Sequence, residues 1–142
     1  CALPIYGRAF ANIGITDQTT DPGRGRGMFK SPTLRNVELT APYFHTGKYL
    51  TLRQVVDFYD RGGDYDNVDK DAQVRRLGLT EGEKTDLVAY LLSLTDDRVR
   101  FERAPFDHPS LALPNDTPLP SVGATGRTSP IRRYLDADPF QR

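Results

Sequence analysis

Cysteine occurs once in these 142 residues, as Cys1, and tryptophan not at all. A single thiol excludes an internal disulfide, a four-cysteine zinc site and attachment of a prosthetic group through two thioethers within the chain. No apolar run approaches the ~20 residues that a helix needs to cross a bilayer, so no membrane span is expected. Neither sign of charge dominates. The 19 basic residues match 19 acidic ones and no basic run exceeds two residues, so nothing marks a nucleic-acid surface. Apolar residues are sparse at 37%, while 11 prolines and 12 glycines promise much irregular chain. At this length one domain with a modest core is expected, and a bound cofactor could supply the rest of that core. The chain opens on Cys1 without an initiator methionine or a signal peptide. It reads as a piece of a longer protein whose export signal lies upstream.

Residues 1–39 are turn-prone, with Gly23, Gly25 and Gly27 in "DPGRGRGMFKSPTLRN", and predict an extended loop. Thr51 is placed to cap a helix running to about Arg61, where Gly62 and Gly63 stop it. Leu52, Val55, Val56 and Tyr59 follow i, i+3, i+4, i+7 spacing, which puts Tyr59 on the inward face. A polar connection follows, with one helical turn expected around Ala72–Arg76. Thr80 and Glu83 form a capping box for a second helix that ends near Ser93–Thr95. Its Leu87, Val88, Tyr90, Leu91, Leu92 and Leu94 make it apolar over more than one face. Past Ala104 prolines crowd the chain, and the tail either wraps along the surface or is disordered. No strand-period segment of useful length is visible, so the expected fold is all-α with long loops. The expected division is 1–103 for the domain and 104–142 for a proline-rich tail.

The candidate site residues each have a bland alternative. A tyrosine at helical period most often packs in the core with its hydroxyl on a backbone group. A loop histidine such as His45 is more often a hydrogen-bonder than a ligand. Met28 could be a thioether ligand or filler. Arg35 and Lys30 could grip carboxylates, Arg35 through its bidentate fork, although most such side chains simply face water.

Taken together, "GMFKSPTLRNVELTAPYFHTGKYLTLRQVVDFYDRGG" and "LGLTEGEKTDLVAYLLSLTDD" resemble the C-terminal haem domain of bacterial di-haem cytochrome c peroxidases and their MauG-like relatives. The likeness runs from about Phe10 to Asp97, with the K-S-P-T-L-R-N, T-A-P-Y-F-H and T-x-x-E-K-x-D-L-V-A-Y-L stretches in order. A weaker likeness covers "RVRFERAPFDHPSL", which is similar to a C-terminal extension in some larger members.

The resemblance implies a cytochrome c-like domain facing haem c, whose Cys-x-x-Cys-His attachment motif this chain lacks. It also implies an axial ligand fourteen residues past the P-Y-F-H histidine, methionine in the peroxidases and tyrosine in the MauG-like proteins. Counting from His45 reaches Tyr59. Tyr59 is therefore the expected donor to the haem iron, with Met28 a minor rival, Arg35 a propionate partner and His45 near the haem edge without ligating. An interdomain calcium would take main-chain carbonyls of Thr40 and Pro42, since carbonyl oxygens suit that ion. The implied enzyme is a periplasmic or exported peroxidase that reduces hydrogen peroxide or uses it to oxidise a protein side chain. Its partners are an N-terminal haem domain outside this chain and a small electron-donor protein or protein substrate. Catalytic residues would lie outside the chain, and the piece alone would be inactive. A plain electron-transfer cytochrome domain and a non-haem interaction remnant are the alternatives.

Overall fold

The computed structural model describes residues 10–17, 27–114 and 117–142. Among them the elements run β1 (Phe10–Asn12), β2 (Met28–Lys30), a 3-10 turn (Val37–Leu39), α1 (Leu52–Asp60), α2 (Glu81–Ser93), α3 (Asp97–Arg100), β3 (Leu111–Ala112), β4 (Pro118–Leu119) and a 3-10 turn (Tyr134–Asp136). The all-α expectation is thus overturned. Two antiparallel two-stranded ladders join the helices: β1 with β2, Ala11 opposite Phe29, and β3 with β4, Leu111 opposite Leu119. Strands of two or three residues are too short to display an alternating pattern. They form because irregular chain must still pair its backbone N–H and C=O groups.

The two main helices begin and end where local chemistry dictates. Thr51 accepts the Gln54 N–H while the Gln54 side chain reaches back, and Thr80 and Glu83 do the same for α2. Each box satisfies amides that have no partner within the helix. At the end of α1, Gly63 N donates to Phe58 O and Gly62 N to Tyr59 O, at 3.0 and 3.1 Å. Gly62 has φ +85°, and a Cβ on Gly63 would lie 2.7 Å from Ile13 O. This is the left-handed stop that glycine makes cheaply. The stretch around Ala72–Arg76 forms turns and bends, with no helical turn.

Leu52, Val56 and Phe58 of α1 pack with Val88 and Leu91 of α2, Tyr43, Tyr49 and Ile15 into the core. Phe58 is fully buried, whereas Tyr59 is 39% exposed. The helical face thus turns further than the i, i+3, i+4, i+7 count implies. Phe58 fills the centre, and Tyr59 projects from the final turn at an open edge. On α2 only one face is covered, and Leu87 and Tyr90 are exposed. Charged groups fasten the two helices. Arg53, itself buried, meets Asp57 at 3.2 Å and Glu81 at 2.6 Å, and Lys84 bridges Asp57 and Asp60 at 3.0 and 2.7 Å.

The tail runs back over the helices. Arg133 and α3's Arg100 both bind the buried Glu38 carboxylate at 2.5 Å. Pro139 O accepts the Arg53 N–H at 2.9 Å, Gln141 O accepts the Thr51 hydroxyl at 2.5 Å, and Arg142 pairs with Glu81. The start of α1 is therefore closed partly by its own cap and partly by tail carbonyls.

Candidate functional site

The aromatic residues of the P-Y-F-H loop and the end of α1 form one cluster. Phe44 lies 4.7 Å from Phe58, 5.5 Å from Tyr49 and 6.1 Å from Tyr59, measured between ring centres. Phe58 is 5.1 Å from Tyr59 and 5.8 Å from Tyr49. Such tilted and edge-on contacts are the favoured geometry of aromatic pairs. Phe29 of β2 stacks on His45 at 3.7 Å with planes 14° apart, which ties the β-ladder to the loop.

Three tyrosines flank this cluster, and their hydroxyls differ. Tyr43 donates to Val37 O at 3.1 Å, and burial, then the nearby Glu38 charge, push its pKa up to about 12. It is the ordinary buried tyrosine. Tyr49 donates to Asp64 Oδ2 at 2.5 Å and accepts from Arg61 Nη2 at 2.5 Å. The Tyr59 hydroxyl has no hydrogen-bond partner among the described residues, although crowding by protein atoms desolvates it and pushes its pKa up. The residue as a whole nevertheless keeps 39% of its surface in solvent. A desolvated phenol without a partner at an open edge can donate its oxygen to a group placed there.

Tyr59 makes its ring contacts with Phe44 and Phe58, and none of the other sequence-predicted residues is in ring or hydrogen-bond contact with it among the described residues. His45 is exposed, engaged by its stack on Phe29 and not by a ligand-like contact. Met28, half-buried, stands on β2 opposite Asn12. Arg35 and Lys30 are exposed. Thr40 is exposed and bonds Val37 O through its hydroxyl, and Pro42 is exposed beside it. Among the described residues no cluster of three or more His, Cys, Asp or Glu side chains could hold a metal ion.

Sequence reasoning missed Phe44, which links three aromatic neighbours, and the Tyr49–Arg61–Asp64 group. Nothing periodic marks these residues. The one available signal was the charge pair three residues apart across the Gly62–Gly63 stop. Burial pushes the Asp64 carboxyl up, but hydrogen bonds from Lys48, Tyr49 and Arg61 outweigh it and leave the pKa below its usual value of 3.8. A depressed folded-state pKa gives stability that is present above the unfolded value and lost as pH falls through the folded one. Asp64→Asn should therefore cost about 1–2 kcal/mol at neutral pH. The difference from the unmodified protein should vanish as pH drops well below 3.8. Urea melts from pH 7 down to pH ~2 check this; a gap that is independent of pH would contradict it.

No family model matches the chain. It is 36% identical over 119 residues to the cytochrome-c peroxidase IdrP1 of Pseudomonas sp. (strain SCT), a match covering 83% of this chain and 29% of that protein. It is 35% identical over 126 residues to the cytochrome c551 peroxidase of Nitrosomonas europaea, covering 80% of this chain and 33% of the relative. The methylamine utilization protein MauG of Methylorubrum extorquens is 32% identical over 96 residues, covering 61% and 27%. A solved structure of a MauG-like protein associated with microbial copper homeostasis superposes with a TM-score of 0.60 at 32% identity, covering 69% of this chain and 37% of the other. The chain thus spans about a third of the length of the relatives it matches. It belongs, as a partial member, to the family of bacterial cytochrome c peroxidases and MauG-like proteins.

Proposed function

We propose that this chain is the haem-facing portion of an exported di-haem peroxidase, with the Tyr59 phenol as axial donor to the haem iron. The observation that carries this reading is the Tyr59 hydroxyl: desolvated, without a hydrogen-bond partner among the described residues, and set beside Phe44 at an open edge. The donor chemistry fits the group, because a phenolate is a known axial ligand of haem iron. The haem, when bound, supplies the redox chemistry with peroxide. One cysteine cannot make two thioethers, so the attachment residues for haem c lie outside these 142 residues.

The chain's own residues then have distinct tasks. Tyr59 would offer the iron a hard anionic oxygen, a donor that favours the ferric state. Phe44 and Phe58 fix the tyrosine ring and keep water from its inner side. Arg35, exposed near the cluster in sequence, offers a guanidinium fork to a propionate. Thr40 and Pro42 would lend main-chain carbonyls to calcium at the boundary with a second haem domain. Electrons would come from a small donor protein or from a protein side chain that is oxidised in giving them up.

The test is the ferric absorption and resonance Raman spectrum of Tyr59→Phe in the full-length protein. Removing one oxygen should abolish the tyrosinate bands and convert the haem to a different ligation state. An unchanged ferric spectrum would exclude Tyr59 as the donor.

A further inference from the structure

Tyr49 sits across the aromatic cluster from Tyr59, and its hydroxyl is built into a proton-accepting site. Tyr49 is 8% exposed. Its O–H points at Asp64 Oδ2, which also receives Lys48 Nζ at 2.6 Å, while Asp64 Oδ1 receives Arg61 Nη2 at 2.6 Å and Nε at 2.9 Å. The net depression of the Asp64 pKa keeps that carboxylate ionised at neutral pH and therefore able to accept. Phe58 lies between the two tyrosines with steps of 5.1 and 5.8 Å, and Phe44 offers a second bridge with steps of 6.1 and 5.5 Å. Either pair of steps bounds the separation of the two tyrosine rings from above and leaves packed aromatic matter between them.

A phenol that loses an electron becomes a very strong acid. A base within hydrogen-bond reach to take the proton makes that oxidation markedly easier. Asp64 meets that geometric demand. Phenylalanine has no such handle and is too hard to oxidise, so Phe44 and Phe58 can only be the medium through which an electron passes.

We propose that Tyr49 is a redox relay, giving one electron to an oxidised haem at Tyr59 and its proton to Asp64. The proposal rests on the reading of Tyr59 given above. In the step the Tyr49 O–H bond breaks and a bond forms between that proton and Asp64 Oδ2. The electron crosses the phenylalanines and reduces the peroxide-oxidised haem by one equivalent. A neutral tyrosyl radical remains, held by the Arg61 hydrogen bond. One electron from the small electron-donor protein proposed above, together with the proton returned from Asp64, would restore the phenol. Lys48, with a side chain 48% exposed, marks where this end of the route meets solvent.

The experiment is freeze-quench electron paramagnetic resonance of the full-length haem protein after peroxide addition, with ring-deuterated tyrosine to identify the radical. A tyrosyl signal is expected that disappears in Tyr49→Phe and persists in Tyr90→Phe, which alters an exposed ring on α2. Asp64→Asn, which keeps Tyr49, should lower the radical yield by about tenfold or more. A tyrosyl signal that survives Tyr49→Phe, a yield unaffected by Asp64→Asn, or no tyrosyl signal at all would each overturn the relay. The ferric spectrum of the same samples keeps the two readings apart. Tyr49→Phe must leave it unchanged, and only Tyr59→Phe reports on the ligand.

Discussion

Replacing Tyr59 by methionine in the full-length protein should raise the reduction potential of the haem at this edge by on the order of 0.1–0.3 V, within the ~0.8 V that axial ligands span. With Tyr59 as the donor proposed above, the exchange would remove a hard anion that stabilises ferric iron and substitute a neutral thioether that favours ferrous iron. The oxidised state formed with peroxide should then decay faster, because it loses its anionic donor. Met28→Leu is the matched control. Met28 belongs to a strand fixed by pairing with Asn12, so its loss should leave both potential and spectrum in place. Redox titration and stopped-flow spectra of the two variants decide the matter. A potential that moves in Met28→Leu but not in Tyr59→Met assigns the ligand to Met28 and makes the domain a conventional electron carrier.

What could be read from the residues alone was what depends on near neighbours in sequence. Thr51, Thr80 and the Gly62–Gly63 stop act over three to five residues, and each is found where the sequence put it. The inward face of α1 was harder. Phe58 and Tyr59 are adjacent aromatics, and which one fills the core depends on where α2 crosses, not on the helical count. The strands escaped because β1 and β2 pair across a long stretch of chain with no pattern of their own. The second face of α2 looked like packed core, yet Leu87 and Tyr90 are exposed. Their apolar character has no counterpart among the described residues. The Tyr49–Asp64 bond joins the loop before α1 to the loop after it. A spacing rule carries no information about such a contact.

The same limit applies to the tail, whose attachment gives the largest stability effect expected outside the aromatic cluster. Glu38→Ala should destabilise the protein by about 2–3 kcal/mol, somewhat below the ~3–5 kcal/mol of a fully enclosed pair. Glu38 itself is nearly sealed, its side chain 2% exposed, but its partners Arg100 and Arg133 keep 28% and 39% of theirs in solvent and can rehydrate. Thr95 also loses the acceptor of its hydroxyl, 2.9 Å away. The consequence reaches beyond that carboxylate. Arg133 is one ionic anchor of the last tail segment, beside the Arg142–Glu81 pair, and Pro139 and Gln141 between them close the start of α1. Releasing Arg133 should expose the bonds after Arg132 and Arg133 to trypsin and fray α1 at Thr51, while the Gly62–Gly63 end that carries Tyr59 stays formed. Limited proteolysis with mass analysis, beside amide hydrogen exchange of residues 51–56, measures both effects. Arg133→Gln should reproduce the fraying and the cleavage after Arg132, the bond after position 133 no longer being a trypsin site, with a smaller loss of stability, whereas Arg100→Gln should leave the tail in place. Equal protection of the tail in Glu38→Ala and the unmodified protein would mean that the backbone bonds from Pro139 and Gln141 and the Arg142–Glu81 pair hold it without Arg133.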